Sequence, residues 1–221
     1  MRCNSIINKK LIFSLGLIIL CSLQSMGQIF TSDQLAFATI NLRKEIAPNN
    51  VKVGTGSFIQ TKTDLYILTA SHVANIMDKD AVIVISDVNG KPIVFKLSDI
   101  TDSVKWVNHP IADMAILKLK LSEAQLKKYF QGRFIPLEMI NSEEKAIPRN
   151  IQLTTIGFPL GLGVSEYFSP LTFRTFPSSG LITLDRADTK TPQTFIILKI
   201  QALAVIVEAL CMIFQFMNKE L

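Results

Sequence analysis

The sequence predicts an all-β protein assembled from antiparallel hairpins, and three observations carry that prediction. Two short apolar runs, 54–60 and 65–69, flank the polar turn 61–64. A Val/Ile-rich run, 81–88, meets Asn89-Gly90 and returns as 92–97, and Asn-Gly between apolar runs is the strongest short hairpin signal. Residues 115–119 (Ala-Ile-Leu-Lys-Leu) form a short apolar run whose single charge is Lys118, and they read as a strand with residues on alternating faces.

Residues 1–27 read as a secretory signal peptide. Arg2, Lys9 and Lys10 form a charged start, 11–20 an apolar centre, and Ser25 and Gly27 the small residues of a cleavage site before Gln28. A membrane anchor needs about 20 apolar residues, more than this centre supplies. A lipoprotein signal at Cys21 is disfavoured by the large Leu20 before it. Of the formal net charge of +5, three charges lie in this segment, leaving +2. The basic balance is thus partly a targeting feature, and no basic patch interleaved with aromatics suggests nucleic-acid binding. Cys3 and Cys21 leave with the signal, so Cys211 alone remains and no internal disulfide is expected. Export without disulfides suits a periplasmic or secreted bacterial protein.

In the mature part, 36–43 is expected as a strand, although Ser32 could instead cap a helix. Residues 47–50 (Ala-Pro-Asn-Asn) form a turn. The hairpin 54–69 follows, then Ala70-Ser71 sets His72 at a strand end and begins a helical turn over 72–77. A histidine held by a rigid strand end is placed for proton transfer. A lone histidine there more often only hydrogen-bonds, but the surroundings of this one reverse the preference. Gly54, Gly56, Phe58, Ile67, Leu68, Thr69, Ala70 and His72 together resemble the histidine segment of the trypsin-like serine peptidases. That resemblance implies a chymotrypsin-like fold: a two-lobe antiparallel β-barrel.

After the 81–97 hairpin come a turn at 99–102 and a further strand over 104–107. Asp113 then precedes the alternating strand, in a segment similar to the Asp-hydrophobic-Ala-hydrophobic-Leu run that carries the second triad member in this family. It follows His72 by 41 residues, within the family's usual separation. The resemblance implies that Asp113 accepts a hydrogen bond from His72, fixes its tautomer and stabilises the imidazolium. The ordinary alternative is a turn aspartate. His109 and Asp113 are four apart, as metal ligands on a helix can be, but Pro110 and the strand pattern oppose a helix, so His109 is taken as a surface or packing residue. No metal or cofactor is expected.

Residues 122–130 read as a short helix, with Ser122 as N-cap, Gln125 completing a capping box and Gly132 ending it. Residues 133–150 form a connector of the kind that joins two barrels in the family. The second lobe opens with 151–163, whose Gly-Phe-Pro-Leu-Gly-Leu-Gly is similar to a loop of heat-shock-type periplasmic proteases. Gly157, Gly161 and Gly163 do not have phosphate-loop spacing, and no Lys-Ser/Thr follows. Strands are expected over 172–176, 179–184 and from 194 to 198, with a polar turn over 185–191.

The family pattern then breaks. Gly-x-Ser-Gly-Gly-Pro, which would supply the nucleophile and oxyanion hole, does not occur, and no serine follows Ser179. The second barrel is therefore expected to be incomplete, followed by an apolar, helix-favouring tail over 199–221. Possible codons for 204–213, read one base out of register, permit Gly-Tyr/Asp-Ser-Gly-Gly-Pro-Val-Tyr-Asp. This points to a frameshift near 195–199. Ser71, Ser178 and Ser179 lack an oxyanion loop and are poor substitutes. Residues 195–217 are apolar enough for membrane association, but Lys199, Gln201 and Glu208 oppose a spanning helix.

The resemblance thus implies a serine-type endopeptidase domain over 28–198: a first barrel at about 36–121, the connector 122–150 and a partial second barrel 151–198. The resemblance makes His72 the general base and acid and Asp113 its orienting partner, acting on a peptide or protein substrate. Without the nucleophile the chain is expected to be inactive. The alternatives are a non-catalytic peptide- or partner-binding protein and a tail-anchored membrane protein.

Overall fold

A computed structural model describes residues 31–140, 145–185, 190 and 192–199. The expected signal segment 1–27 and the tail from 200 onward lie outside the described residues, as does most of the turn 185–191.

The chain enters through helix α1 (Ser32–Ala38) and runs directly into strand β1 (Thr39–Ala47). The strand expected over 36–43 therefore begins three residues late. Leu35 and Ala38, three apart on one helix face, are both buried, and the Thr39 hydroxyl donates to the Leu35 carbonyl at 2.8 Å. That bond holds the last helical turn before the strand starts. Asn49 takes a left-handed φ of 64° in the turn to β2 (Asn50–Gln60), and β3 (Leu65–Thr69) completes an antiparallel meander. The short helix α2 (Ser71–Ala74) follows. The hairpin β4 (Val82–Ser86) and β5 (Pro92–Lys96) closes through Gly90, whose φ of 75° suits the predicted Asn-Gly turn.

Strand β6 is reduced to Val107–Asn108, shorter than the 104–107 run suggests. Trp106 is drawn inward instead, its indole N–H donating to the Met77 carbonyl at 2.7 Å, because a half-buried indole needs an acceptor. Strand β7 (Ala115–Lys118) shows the predicted alternation, with Ala115 and Leu117 buried and Ile116 and Lys118 exposed. The Ser122–Gln125 capping box is present, and helix α3 (Glu123–Gln125) widens at once into a π-turn over Leu126–Phe130. The wider turn brings Phe130 into the core, where its ring lies 5.5 Å from that of Phe58, nearly edge-on.

The main sheet has the order β5-β4-β1-β2-β3-β7-β6, all antiparallel. An eighth strand, β8 (Ile135–Pro136), pairs parallel with the end of β2. The segment after Gly132 is thus more than a connector. The ladder is an open path among the described residues, with no pair joining β5 to β6. Ile40, Leu42, Phe58, Ile67, Ile83 and Ile85 are fully buried against its inner face. Each such side chain contributes roughly 1.5–3 kcal/mol relative to exposure.

Arg133 is buried beside this core. It donates to the backbone carbonyls of Tyr129, Phe37 and Ser86 and to the Ser86 hydroxyl, and its guanidinium lies 3.6 Å from the Phe37 ring centre. Burial pulls its pKa down to about 10. One cation thus ties together the α1–β1 entry, the end of β4 and the π-turn.

Beyond residue 150 two hairpin sheets follow. One pairs β9 (Leu153–Gly157) with β10 (Leu171–Thr175), and the other pairs β11 (Pro177–Asp185) with β12 (Pro192–Leu198). The all-β, antiparallel expectation is met, and this second region is smaller than the first. It packs on the main sheet through Phe158, Phe168 and Val84. The Phe168 N–H also donates to the Gly90 carbonyl, and the Lys91 ammonium sits 3.9 Å over the Tyr167 ring.

Candidate active site

The ladder between β3 and β7 builds the site. Its register pairs Thr69 with Ala115. Continuing past that pair, the chain after β3 meets the chain before β7, so residues 71–72 come beside 113–114 although 41 positions separate His72 from Asp113. Thr69 is held by its own hydroxyl, which donates to the Thr55 carbonyl at 2.8 Å. Ala70 is fully buried in an extended conformation and acts as the N-cap position of α2. Ser71 donates from its hydroxyl to the Met114 carbonyl at 2.8 Å.

Asp113 grips His72 at two points. One carboxylate oxygen accepts the His72 backbone N–H at 3.1 Å, and the other lies 2.6 Å from Nδ1. A carboxylate can only accept there, so Nδ1 carries a proton, and in the neutral ring Nε2 keeps its lone pair. Nε2 makes no hydrogen bond to another described residue, and the His72 side chain is 44% exposed. The sequence expected these two residues to act together, and the structure brings them within bonding distance in the geometry that fixes this tautomer.

Gly54 explains why the first glycine of the motif stands where it does. A Cβ on it would lie 2.3 Å from Cγ1 of Val73, the residue after His72. The bare glycine lets α2 settle against β2. Gly157 has a related role: a Cβ there would come 2.9 Å from the Thr55 hydroxyl oxygen, the same atom that accepts the Phe158 N–H at 3.0 Å. The Gly-Phe-Pro-Leu-Gly run therefore seats the second region against β2, the strand next to the one that delivers His72.

His109 does not lie loose on the surface. Its N–H donates to the Met114 carbonyl at 2.7 Å. Its Nδ1 accepts backbone N–H groups from Ile111 at 3.2 Å and Ala112 at 2.8 Å. The only hint in the sequence was its place four residues before Asp113, with Pro110 between.

Of the serines considered as substitutes, Ser71 is committed to Met114. Ser179 donates to the Gly180 carbonyl at 2.8 Å and accepts the Ile197 N–H at 2.8 Å, inside the β11–β12 hairpin. Among the described residues no group of three or more His, Cys, Asp and Glu side chains could hold a metal ion. No described helix is long and apolar enough to cross a membrane.

No family model and no curated protein matches the chain. Solved structures do. The MamO protease domain from Magnetospirillum magneticum is 15% identical, with 73% of this chain aligned to 71% of that one at a TM-score of 0.49. Deg5 is 16% identical, with 76% of this chain aligned to 71% of its own at 0.44. GrC is 11% identical, with 70% aligned to 65% at 0.43.

Proposed function

We propose that this chain carries the proton-transfer half of a serine-type endopeptidase. In that reading His72 is the general base and acid, and Asp113 orients it. The observation that carries the reading is the double grip of Asp113 on His72, which leaves Nε2 free to take a proton from a nucleophile. A nucleophilic serine placed there would attack a peptide carbonyl. His72 would accept its proton and return it to the leaving amine, and water would then release the acyl-enzyme. Asp113 would balance the imidazolium at each stage without taking the proton itself.

As its 221 residues stand, the chain lacks the serine segment this chemistry needs, and the reading includes that it does not turn over peptides. The engaged hydroxyls of Ser71 and Ser179 support this, because each would have to break a hydrogen bond before attacking. The domain is read as 28–198, exported by the segment before it, with a peptide or protein as its ligand. Treatment with a fluorophosphonate probe tests the catalytic half. No labelling is expected, and labelling that His72→Ala abolishes would overturn the inactivity. Sequencing the gene across codons 190–221 tests the frameshift, which fails if the shifted frame does not spell the serine motif.

A further inference from the structure

We propose that His109 is a positioning residue that holds Asp113 in place for His72. The proposal rests on the reading of the His72–Asp113 pair given above. Asp113 lies in the loop between β6 and β7, beyond their last ladder pair, Asn108 with Ala115. Pro110 has no N–H, so the first two donors after His109 belong to Ile111 and Ala112. Both point at the His109 imidazole and share its Nδ1 as acceptor. The side chain thereby does what an Asx or hydroxyl side chain does in a tight turn, replacing a backbone acceptor.

The next bonds close the loop. The Met114 N–H donates to the Ala112 carbonyl at 2.8 Å, and the Met114 carbonyl accepts from the His109 N–H and the Ser71 hydroxyl. Asp113 therefore sits between two anchored neighbours: Ala112 is held by the imidazole, and Met114 by the loop base and by α2. Its carboxylate reaches His72 because its backbone cannot swing away. The two histidines of the chain are required in opposite tautomers. His72 must carry its proton on Nδ1 to donate to Asp113, and His109 must leave Nδ1 bare to accept.

The test is ring-nitrogen and low-field proton spectroscopy on the 15N-labelled full chain, in which only two imidazoles contribute. In the wild-type chain His109 is expected to show an unprotonated Nδ1 coupled across hydrogen bonds to the amides of Ile111 and Ala112. His72 is expected to show a low-field Nδ1–H bonded to Asp113. His109→Ala should lose the low-field resonance to solvent exchange while amides in the rest of the main sheet stay in place. His109→Asn, which restores a short side-chain acceptor, should bring the resonance back. A resonance unchanged in His109→Ala overturns the proposal and leaves the His72–Asp113 pair standing. Its absence from the wild-type chain overturns the pair, and the proposal with it. Should His109→Ala fail to fold, the wild-type nitrogen spectrum decides: a protonated Nδ1 on His109 refutes the role, and the amide couplings support it.

Discussion

Replacing Gly54 with alanine is the sharpest test of how the histidine segment is packed. The added Cβ would meet Val73 at 2.3 Å from Cγ1, 3.0 Å from Cγ2 and 3.3 Å from Cβ. Carbon atoms rest at about 3.5–4.0 Å, so the closest pair must separate by more than about 1 Å. Val73 cannot easily turn away. It is 7% exposed, and a valine on a helix has one strongly preferred rotamer. Either α2 lifts from β2 or the side chain leaves its well, and overpacking of this kind costs about 1–3 kcal/mol. Val73→Ala alone removes two methyl groups and should cost roughly 1.5–2.5 kcal/mol, from lost burial and the cavity left behind. In the double variant the new methyl fills part of that cavity. The two changes should therefore sum to at least about 1 kcal/mol less than their separate effects. Urea unfolding of the four proteins measures the cycle. A Gly54→Ala chain within about 0.5 kcal/mol of wild type, or an additive double variant, would show that the glycine is not there to admit Val73.

Arg133→Met should destabilise the chain by about 3 kcal/mol or more, because it strands the Tyr129, Phe37 and Ser86 carbonyls in the interior. Arg133→Lys should recover little of this, since an ammonium cannot span the three acceptors as the planar fork does. Both are read from urea midpoints. Ser71→Ala should cost only about 1 kcal/mol in the same assay, because the Met114 carbonyl keeps the His109 N–H as a partner. Acid should also weaken the fold. The Asp87 carboxylate accepts the N–H groups of Lys91 and Asn89, and these bonds, that from Lys91 foremost, hold it below the ordinary 3.8. The unfolded chain then takes up the proton first, so this stability is present above about pH 4 and drains away as the pH falls toward the depressed value. Asp87→Asn should flatten that acid limb in pH-dependent thermal unfolding, and an unchanged limb would count against the role assigned to Asp87.

Much of the first region could be read from the sequence because its signals were local. The 54–69 hairpin, the Asn89-Gly90 turn, the alternation at 115–119 and the Ser122–Gln125 box each depend on neighbours within a few residues. His72 and Asp113 were legible as a pair through the resemblance, and the Thr69–Ala115 register supplies the physical reason they meet. Three features were hidden for one shared cause, partners distant in the chain. The strand expected at 104–107 shrank because Trp106 sought the Met77 carbonyl, 29 residues away. β8 formed within a polar connector because Ile135 could pair with Ile59. Arg133 gave no sign of burial, since its acceptors at Phe37 and Ser86 lie 96 and 47 residues earlier. His109 was read as a surface or packing residue, and it is exposed, but its acceptor role was hidden for a different reason: that role needs a bare Nδ1, and composition does not reveal a tautomer.

The β3–β7 ladder has a consequence for the order in which the protein takes shape. The pairs that bring His72 to Asp113 all fall between Tyr66 and Lys118. Their meeting is thus one zipping event inside the first sheet, and the hairpins after residue 150 supply none of its rungs. In a refolding experiment the imidazole–carboxylate contact should appear with the first sheet's amides rather than with those of β9 to β12. A lesion in the later hairpins would then slow completion of the domain while leaving the arrival of that contact on schedule.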